Sequence, residues 1–248
     1  MKPRSPLDLP CVLRGTAPAL RYLGAIAALA LATGCASGPK ANPADPFEPF
    51  NRGVMRFNDV VDDAVLVPAA TAYRRALPSV VRRGVNNFFG NLSDVWSFAN
   101  SVLQLKLEHS AQTFMRVNVN TIFGLGGLLD IATEAGIDRH SEDFGQTLGR
   151  WGVPSGPYVV LPLLGSSTLR DTAALTIDRQ GDLLNQMHDV RWRNSLYFVR
   201  VIDARSNYLR ASQLLDDAAL DKYTFTRDAH LQRRKNDVHD GDLPNEGN

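Results

Sequence analysis

The 248-residue sequence has almost no cysteine, no excess of charge of either sign, and no long hydrophobic run past its start. Cys11 and Cys35 are its two cysteines, so beyond Cys35 no disulfide can form within the chain and stability must come from packing. Lys and Arg number 27 against 26 Asp and Glu, a balance that excludes the concentrated basic surface nucleic-acid binding needs. Past residue 34 no segment approaches the roughly 18 uninterrupted apolar residues of a transmembrane helix. Signatures of chemistry are missing as well. No serine has glycine both two places before and two places after it, so there is no nucleophile elbow. Gly124-Leu125-Gly126-Gly127 lacks the preceding strand and following lysine of a phosphate loop. His109, His140, His188, His230 and His239 are scattered without metal-ligand spacing and read as surface or locally hydrogen-bonded groups. Asp62-Asp63 and Asp216-Asp217 are helix neighbours pointing about 100° apart, which is not the geometry of a carboxylate dyad. No catalytic centre, metal or cofactor is expected.

What is there begins with Leu31-Ala32-Thr33-Gly34-Cys35, a cysteine after small residues at the end of an apolar run, which resembles a bacterial lipobox. Lys2, Arg4, Arg14 and Arg21 give a positive start, and Tyr22 to Thr33 an apolar middle too short to span a bilayer. Residues 1–34 then form a lipoprotein signal peptide, and the mature protein begins at Cys35, the lipid-attachment residue. Ala32 stands where leucine is commoner. Ala36 is not the aspartate that retains lipoproteins at the inner membrane of enteric bacteria, which favours outer-membrane sorting. Processing removes four basic residues and Asp8, leaving a net charge of about −2 by count. One acyl chain holds a protein marginally and two or more hold it stably, so a triacylated Cys35 fixes the domain at a membrane.

Residues 35–44 are small, polar and proline-bearing, a lipidated tether. A single domain follows over residues 45–235, and residues 236–248 read as a charged, disordered tail. Asp45, Pro46 and Glu48 suit a helix start with a capping box. In that helix Phe47, Phe50, Val54, Phe57 and Val61 share one stripe, read as the buried face, opposite Arg52, Arg56, Asp59 and Asp63. Asn51, Asn58 and Asp62 run along the edge of the stripe. Such a row is either satisfied by local backbone and neighbours or lines a polar cavity. Further helices are expected over 68–76, 78–89 and 94–106, with Gly90-Asn91 as a break, then over 168–179, 194–214 and 217–235. Met115 to Asn120 alternates like a strand, but its flanks favour helix. Two apolar, glycine-bearing stretches, 124–129 and 156–165, make poor water-exposed loops and either bury in the core or insert shallowly into lipid.

Several blocks in order resemble the VacJ/MlaA family of outer-membrane lipoproteins across essentially the whole mature chain. They are Asp45-Pro46-Phe47-Glu48-Pro49-Phe50-Asn51-Arg52, Phe57-Asn58 and Asp62; Val85 to Leu92; Asn100 and Leu103-Gln104; Arg116, Asn120-Thr121, Gly124 to Gly127 and Asp130; Glu142 to Gly149, Trp151-Gly152-Val153, Gly156-Pro157-Tyr158, Leu161-Pro162, Gly165 and Leu169-Arg170-Asp171. Val95 and Ser166 depart from the family's prolines, and the match loosens beyond Asp178.

The resemblance implies a mainly α, single-domain helical ring lying in the inner leaflet of the outer membrane, with a central amphipathic opening. It implies a non-enzymatic role: removing misplaced phospholipids from the outer leaflet and passing them to a soluble periplasmic lipid carrier (MlaC-like), which serves an ABC transporter in the inner membrane. Trimeric porins are the expected membrane partners. A diacyl lipid exposes on the order of 30 methylenes, so extraction into water would cost roughly 25 kcal/mol and the path must be amphipathic. Asn51, Asn58 and Asp62 are candidates for its polar lining, and the loop carrying Gly124, Gly126, Gly127 and Leu128 for its gate. A porin-associated scaffold and a lipid hydrolase are the alternative functions.

Overall fold

The computed structural model describes residue 42 and residues 45–241; Cys35 and the signal peptide lie outside the described residues. Helix α1 (Glu48–Val61), a π-helical turn (Asp62–Leu66) and α2 (Val67–Ala76) form one continuous rod. Pro68 brings no N–H to the helix, and the wide turn before it, in which the Val67 N–H donates to the Asp62 carbonyl, absorbs the change of register. The rod does not start as expected. Phe47 is its N-cap with no side-chain cap, and Glu48 bonds Arg52 one turn on. Asp45 instead turns inward, where its carboxylate accepts from Asn51, Tyr223 and Arg227.

The expected break at Gly90-Asn91 is absent, because α3 runs unbroken from Ser79 to Leu103. Gly90 serves a close approach instead. A Cβ there would lie 2.6 Å from the Arg139 guanidinium, which passes over the helix to reach Asp94. Helix α4 (Leu107–Ile122) absorbs the strand-like alternation of residues 115–120. The short α5 (Ile131–Glu134) is capped by Asp130, and α6 (Phe144–Arg150) carries a full capping box between Asp143 and Gln146. Strands β1 (Tyr158–Leu161) and β2 (Gly165–Thr168) make an antiparallel hairpin with Tyr158 opposite Thr168. Helix α7 (Leu169–Gly181) is capped by Thr168 as expected and leads to a 3-10 turn (Leu183–Gln186). Helices α8 (Val190–Ala218) and α9 (Lys222–His239) are capped by Asp189 and Asp221. The first is longer than expected at both ends, and the second continues past Lys235, which corrects the expected start of the tail at residue 236.

These elements pack in a closed circuit: α1 on the hairpin, the hairpin on α7 and α9, those on α6, α6 on α3, α3 on α8, α8 on α2, and α2 through the π-turn back to α1. Helix α4 lies along α3. A conventional apolar core occupies one corner, where Tyr158, Val160 and Tyr223 meet Val54, Met55 and Leu231. Elsewhere burial is inverted. Among the described residues 22 polar or charged residues are buried against 11 hydrophobic ones, while Phe, Leu, Val, Ile and Trp crowd the surface. Two positions of the α1 stripe show the reversal, with Phe50 60% and Phe57 51% exposed and Asn51 fully buried, while Val54 of the same stripe packs on the core. No helix among the described residues is long and apolar enough to cross a membrane.

Candidate functional site

Every third or fourth residue along α3 and α4 is polar and turned inward. On α3 and its C-cap these are Asn91, Asp94, Ser97, Asn100, Ser101 and Gln104, and on α4 Ser110, Thr113, Arg116 and Asn120. Buried polar groups demand partners, and the loops around α5 and α6 supply them. Arg116, 1% exposed, donates two bonds to Asp130 at 2.9 and 3.1 Å, one to the Ile137 carbonyl and one to Thr133, with Asp94 3.8 Å from its Nε. Asn120 donates to Asp130 and accepts from the Ala132 N–H. Gln104 donates to Glu142 and to Thr147, whose hydroxyl donates in turn to Asn100. The outward faces of the same helices carry Val102, Leu103, Leu107, Phe114, Met115, Ile122 and Phe123, all exposed. Helix periodicity is thus present in full, with its apolar side facing outward.

The three residues proposed from sequence as a polar lining are brought to one face, but their capacity is spent inside the protein. Asn51 Nδ2 donates to the Tyr158 carbonyl at 3.0 Å, and its Oδ1 accepts from the Val160 N–H at 2.9 Å, so the amide acts as an extra strand residue along β1. Two turns on, Asn58 repeats the device on the Leu161 carbonyl and the Leu163 N–H. Asp62 accepts a bidentate pair from Arg205 of α8 at 2.7–3.1 Å. Of the two readings the row allowed, this geometry is local satisfaction. Asn51 and Asn58 position the hairpin, whose tip residues Leu163 and Leu164 are exposed.

The loop proposed as a gate is a tight, hydrogen-bonded turn at the end of α4. Gly126 and Gly127 N–H groups donate to the Thr121 and Asn120 carbonyls, Leu129 N–H donates to Gly124, and Asn87 donates to the Leu128 carbonyl. Leu125, Gly126 and Gly127 all have positive φ, at 54°, 73° and 93°, and a Cβ on Gly127 would lie 2.7 Å from the Asn91 side chain. The turn presents Phe123, Leu125, Leu128 and Leu129 outward as an exposed apolar knuckle.

Sequence spacing gave no sign of a charged clasp where α4 begins, α6 is approached and α9 ends. Lys106 Nζ lies 2.8 Å from Glu142 and 2.6 Å from Asp240. His109 sits 3.6 and 4.0 Å from the same carboxylates and stacks on His140, ring centroids 3.7 Å apart. The donor atoms of His109, Glu142 and Asp240 are within 4.8 Å of one another, as a metal site would require, but the Lys106 ammonium already supplies the cation between the two carboxylates. On the neighbouring α9, burial and the Arg234 charge hold His230 below its ordinary value. Burial pushes the Asp171 carboxyl up, yet Arg234 and Arg170 outweigh it and keep the group below the usual carboxylate range.

Residues 43–237 match the family model described as MlaA lipoprotein. The chain is 35% identical over 234 residues to the intermembrane phospholipid transport system lipoprotein MlaA of Shigella flexneri, covering 88% of this chain and 90% of that one. It is 34% identical over 227 residues to the protein of the same name from Haemophilus influenzae, again covering 88% and 90%. An uncharacterised protein of Rickettsia bellii is 34% identical over 196 residues, covering 78% of this chain and 76% of its own length. Among solved structures, one determined in work on the structural basis for maintenance of bacterial outer membrane lipid asymmetry superposes with a TM-score of 0.69 at 35% identity, covering 78% of this chain and 98% of that chain.

Proposed function

The chain belongs to the MlaA lipoprotein family, and on that premise we propose that it removes misplaced phospholipids from the outer leaflet of the outer membrane and delivers them to a soluble periplasmic carrier. It does so without catalysis, lying in the inner leaflet, on the periplasmic side, as a ring anchored through an acylated Cys35. The observation that carries this reading is the inverted burial: a largely hydrogen-bonded polar interior beneath a surface crowded with large apolar side chains, the mark of a protein that meets lipid or a partner. A surface of this kind lets acyl tails stay against apolar side chains while a headgroup finds polar groups, so the roughly 25 kcal/mol cost of carrying tails through water never arises. The closed circuit of packed elements supports the ring. The exposed knuckle at 123–129 and the hairpin tip at Leu163-Leu164 are the segments suited to contact lipid or a trimeric porin.

The test is deletion of the gene, followed by labelling of surface phosphatidylethanolamine with an amine-reactive reagent that cannot cross the membrane. Labelling is expected to rise and to return to its starting level when the gene is restored. Unchanged labelling, with porin co-purification intact, would leave only the scaffold reading. Release of fatty acid or lysolipid by the purified protein would mean a hydrolase. Replacing Cys35 by serine should mislocalise the protein before it affects folding; retained localisation and lipid asymmetry would contradict the anchor.

A further inference from the structure

A cavity of about 520 Å³ lies between α9, the 152–156 loop and the start of α7. Its size is that of a small-molecule site. One wall is a single face of α9: Leu231, Arg234, Lys235, Val238 and His239 follow at intervals of three and four residues. The facing wall brings Val153, Pro154 and Arg170. Arg170, Arg234, Lys235 and His239 therefore border the space, and among the described residues no acidic side chain lines it. Asp143 and Asp171, which pair with the two arginines, stand behind them and fix their direction.

Donors are left over. Arg234 gives three N–H groups to Asp143 and Asp171, out of the five a guanidinium carries. Arg170 gives two of its nitrogens to Asp171, and its Nη1 reaches the Val153 carbonyl only at 3.5 Å, the limit of a hydrogen bond. Both guanidiniums are sheltered, with side chains 5% and 13% exposed, so an anion meeting them would be recognised with little screening. The rest of the lining is mostly apolar, which a free inorganic anion does not need.

We propose that this cavity holds the phosphate-bearing end of an amphiphilic anion, with Arg170, Arg234 and Lys235 toward the phosphate and Val153, Leu231 and Val238 against its apolar stem. The inference rests on the transport reading and places a headgroup station on the lipid's route. Phosphate chemistry alone fits a lipid headgroup or free phosphate, so both are tested.

Purified full-length lipoprotein in detergent is titrated by calorimetry with dihexanoylphosphatidylglycerol, with inorganic phosphate and with dihexanoylglycerol. The phospholipid is expected to bind, and the other two to bind at least about 100-fold more weakly. Lys235→Glu should weaken phospholipid binding roughly tenfold, Lys235→Arg should restore it, and Leu231→Trp, which fills the space, should abolish it with unchanged helicity. Equal binding of inorganic phosphate would make this a free-anion site, and equal binding of dihexanoylglycerol a purely apolar pocket; either overturns the proposal. So does phospholipid binding indifferent to Lys235→Glu and Leu231→Trp. Surface labelling in cells separates the two claims. If deletion raises outer-leaflet phospholipid while the Leu231→Trp variant behaves as wild type, the headgroup station fails and the transport reading stands; if deletion has no effect, the transport reading fails.

Discussion

The α3–α4 body and the corner where the hairpin meets α9 solve opposite problems with the same alphabet. At the corner, Tyr158, Val160 and Tyr223 are buried together as in any water-soluble protein. In the body, Arg116, Asn100, Ser101 and Thr113 are among the buried residues, and Val102, Leu103, Leu107 and Phe114 of the same helices face outward. The difference teaches that the two regions are built for different surroundings. An inward arginine is tolerated because Asp130, Thr133 and the Ile137 carbonyl take up its two terminal nitrogens, and an outward row of Leu and Phe is stable only against something as apolar as itself.

That contrast can be broken most severely at Arg116. Arg116→Met leaves the half-buried Asp130 without its cation and Asp94 with Arg139 alone, and should cost about 3–5 kcal/mol, read as a lowered denaturation midpoint in detergent. Tyr158→Ala, the matching insult to the apolar corner, should cost a similar or slightly smaller amount, about 3–4 kcal/mol. By contrast Leu107→Ala and Phe123→Ala, which would be severe in an ordinary core, should change stability in detergent by no more than about 0.5 kcal/mol and instead weaken partition into bilayers. If those two variants unfold the protein, these side chains are packed inside the protein and the contrast collapses.

Smaller effects sharpen it. Asn58→Leu removes both bonds to the hairpin and should cost about 1–3 kcal/mol, seen as faster hydrogen exchange at Leu163. A transport defect with unchanged exchange would return Asn58 to a lining role. Gly127→Ala meets both a positive φ and the Asn91 side chain, and should cost about 1–2 kcal/mol. The smallest effect is pH dependence at His230. Its folded-state value lies below the ordinary 6.5, so as pH falls through 6.5 the unfolded chain takes up the proton first. Stability is full above that pH and declines below it, and His230→Gln should flatten the slope of melting temperature against pH.

Much of the fold was legible because helix periodicity, caps and breakers are local. Thr168 leading a helix with Asp171 three places on was readable as written. So was the helix through residues 115–120, once its flanks outweighed its alternation. What the periodicity cannot encode is which side of a helix faces inward. The stripe Phe50, Val54, Phe57 and Val61 marks a face, but a hydropathy pattern is the same whether the apolar side meets a core or a lipid, and here Phe50 and Phe57 face out. Gly90 misled for a related reason: a glycine that admits a distant guanidinium looks, in one dimension, like one that ends a helix. The polar site was half visible. Asn51, Asn58 and Asp62 were recognisable as a row, while their partners on the hairpin and α8 lie about 100 or more residues away in sequence. The Lys106–Glu142–Asp240 clasp and the Arg170–Arg234 cavity also join segments far apart in sequence, and no spacing announces them.

The sequence has two cysteines, Cys11 and Cys35, and the processing and acylation proposed for them leave no free thiol, so a single probe can be placed at will. The decisive experiment attaches an environment-sensitive fluorophore at Leu125→Cys, on the exposed knuckle after α4, in lipoprotein reconstituted into bilayers of brominated phospholipid, with Asp221→Cys at the head of α9 as the reference. A lipid-embedded apolar surface predicts strong quenching by bromine and protection from aqueous iodide at position 125, and the reverse at 221. Iodide quenching at both positions, with none from bromine, would show a protein standing in water on its anchor and would contradict the account.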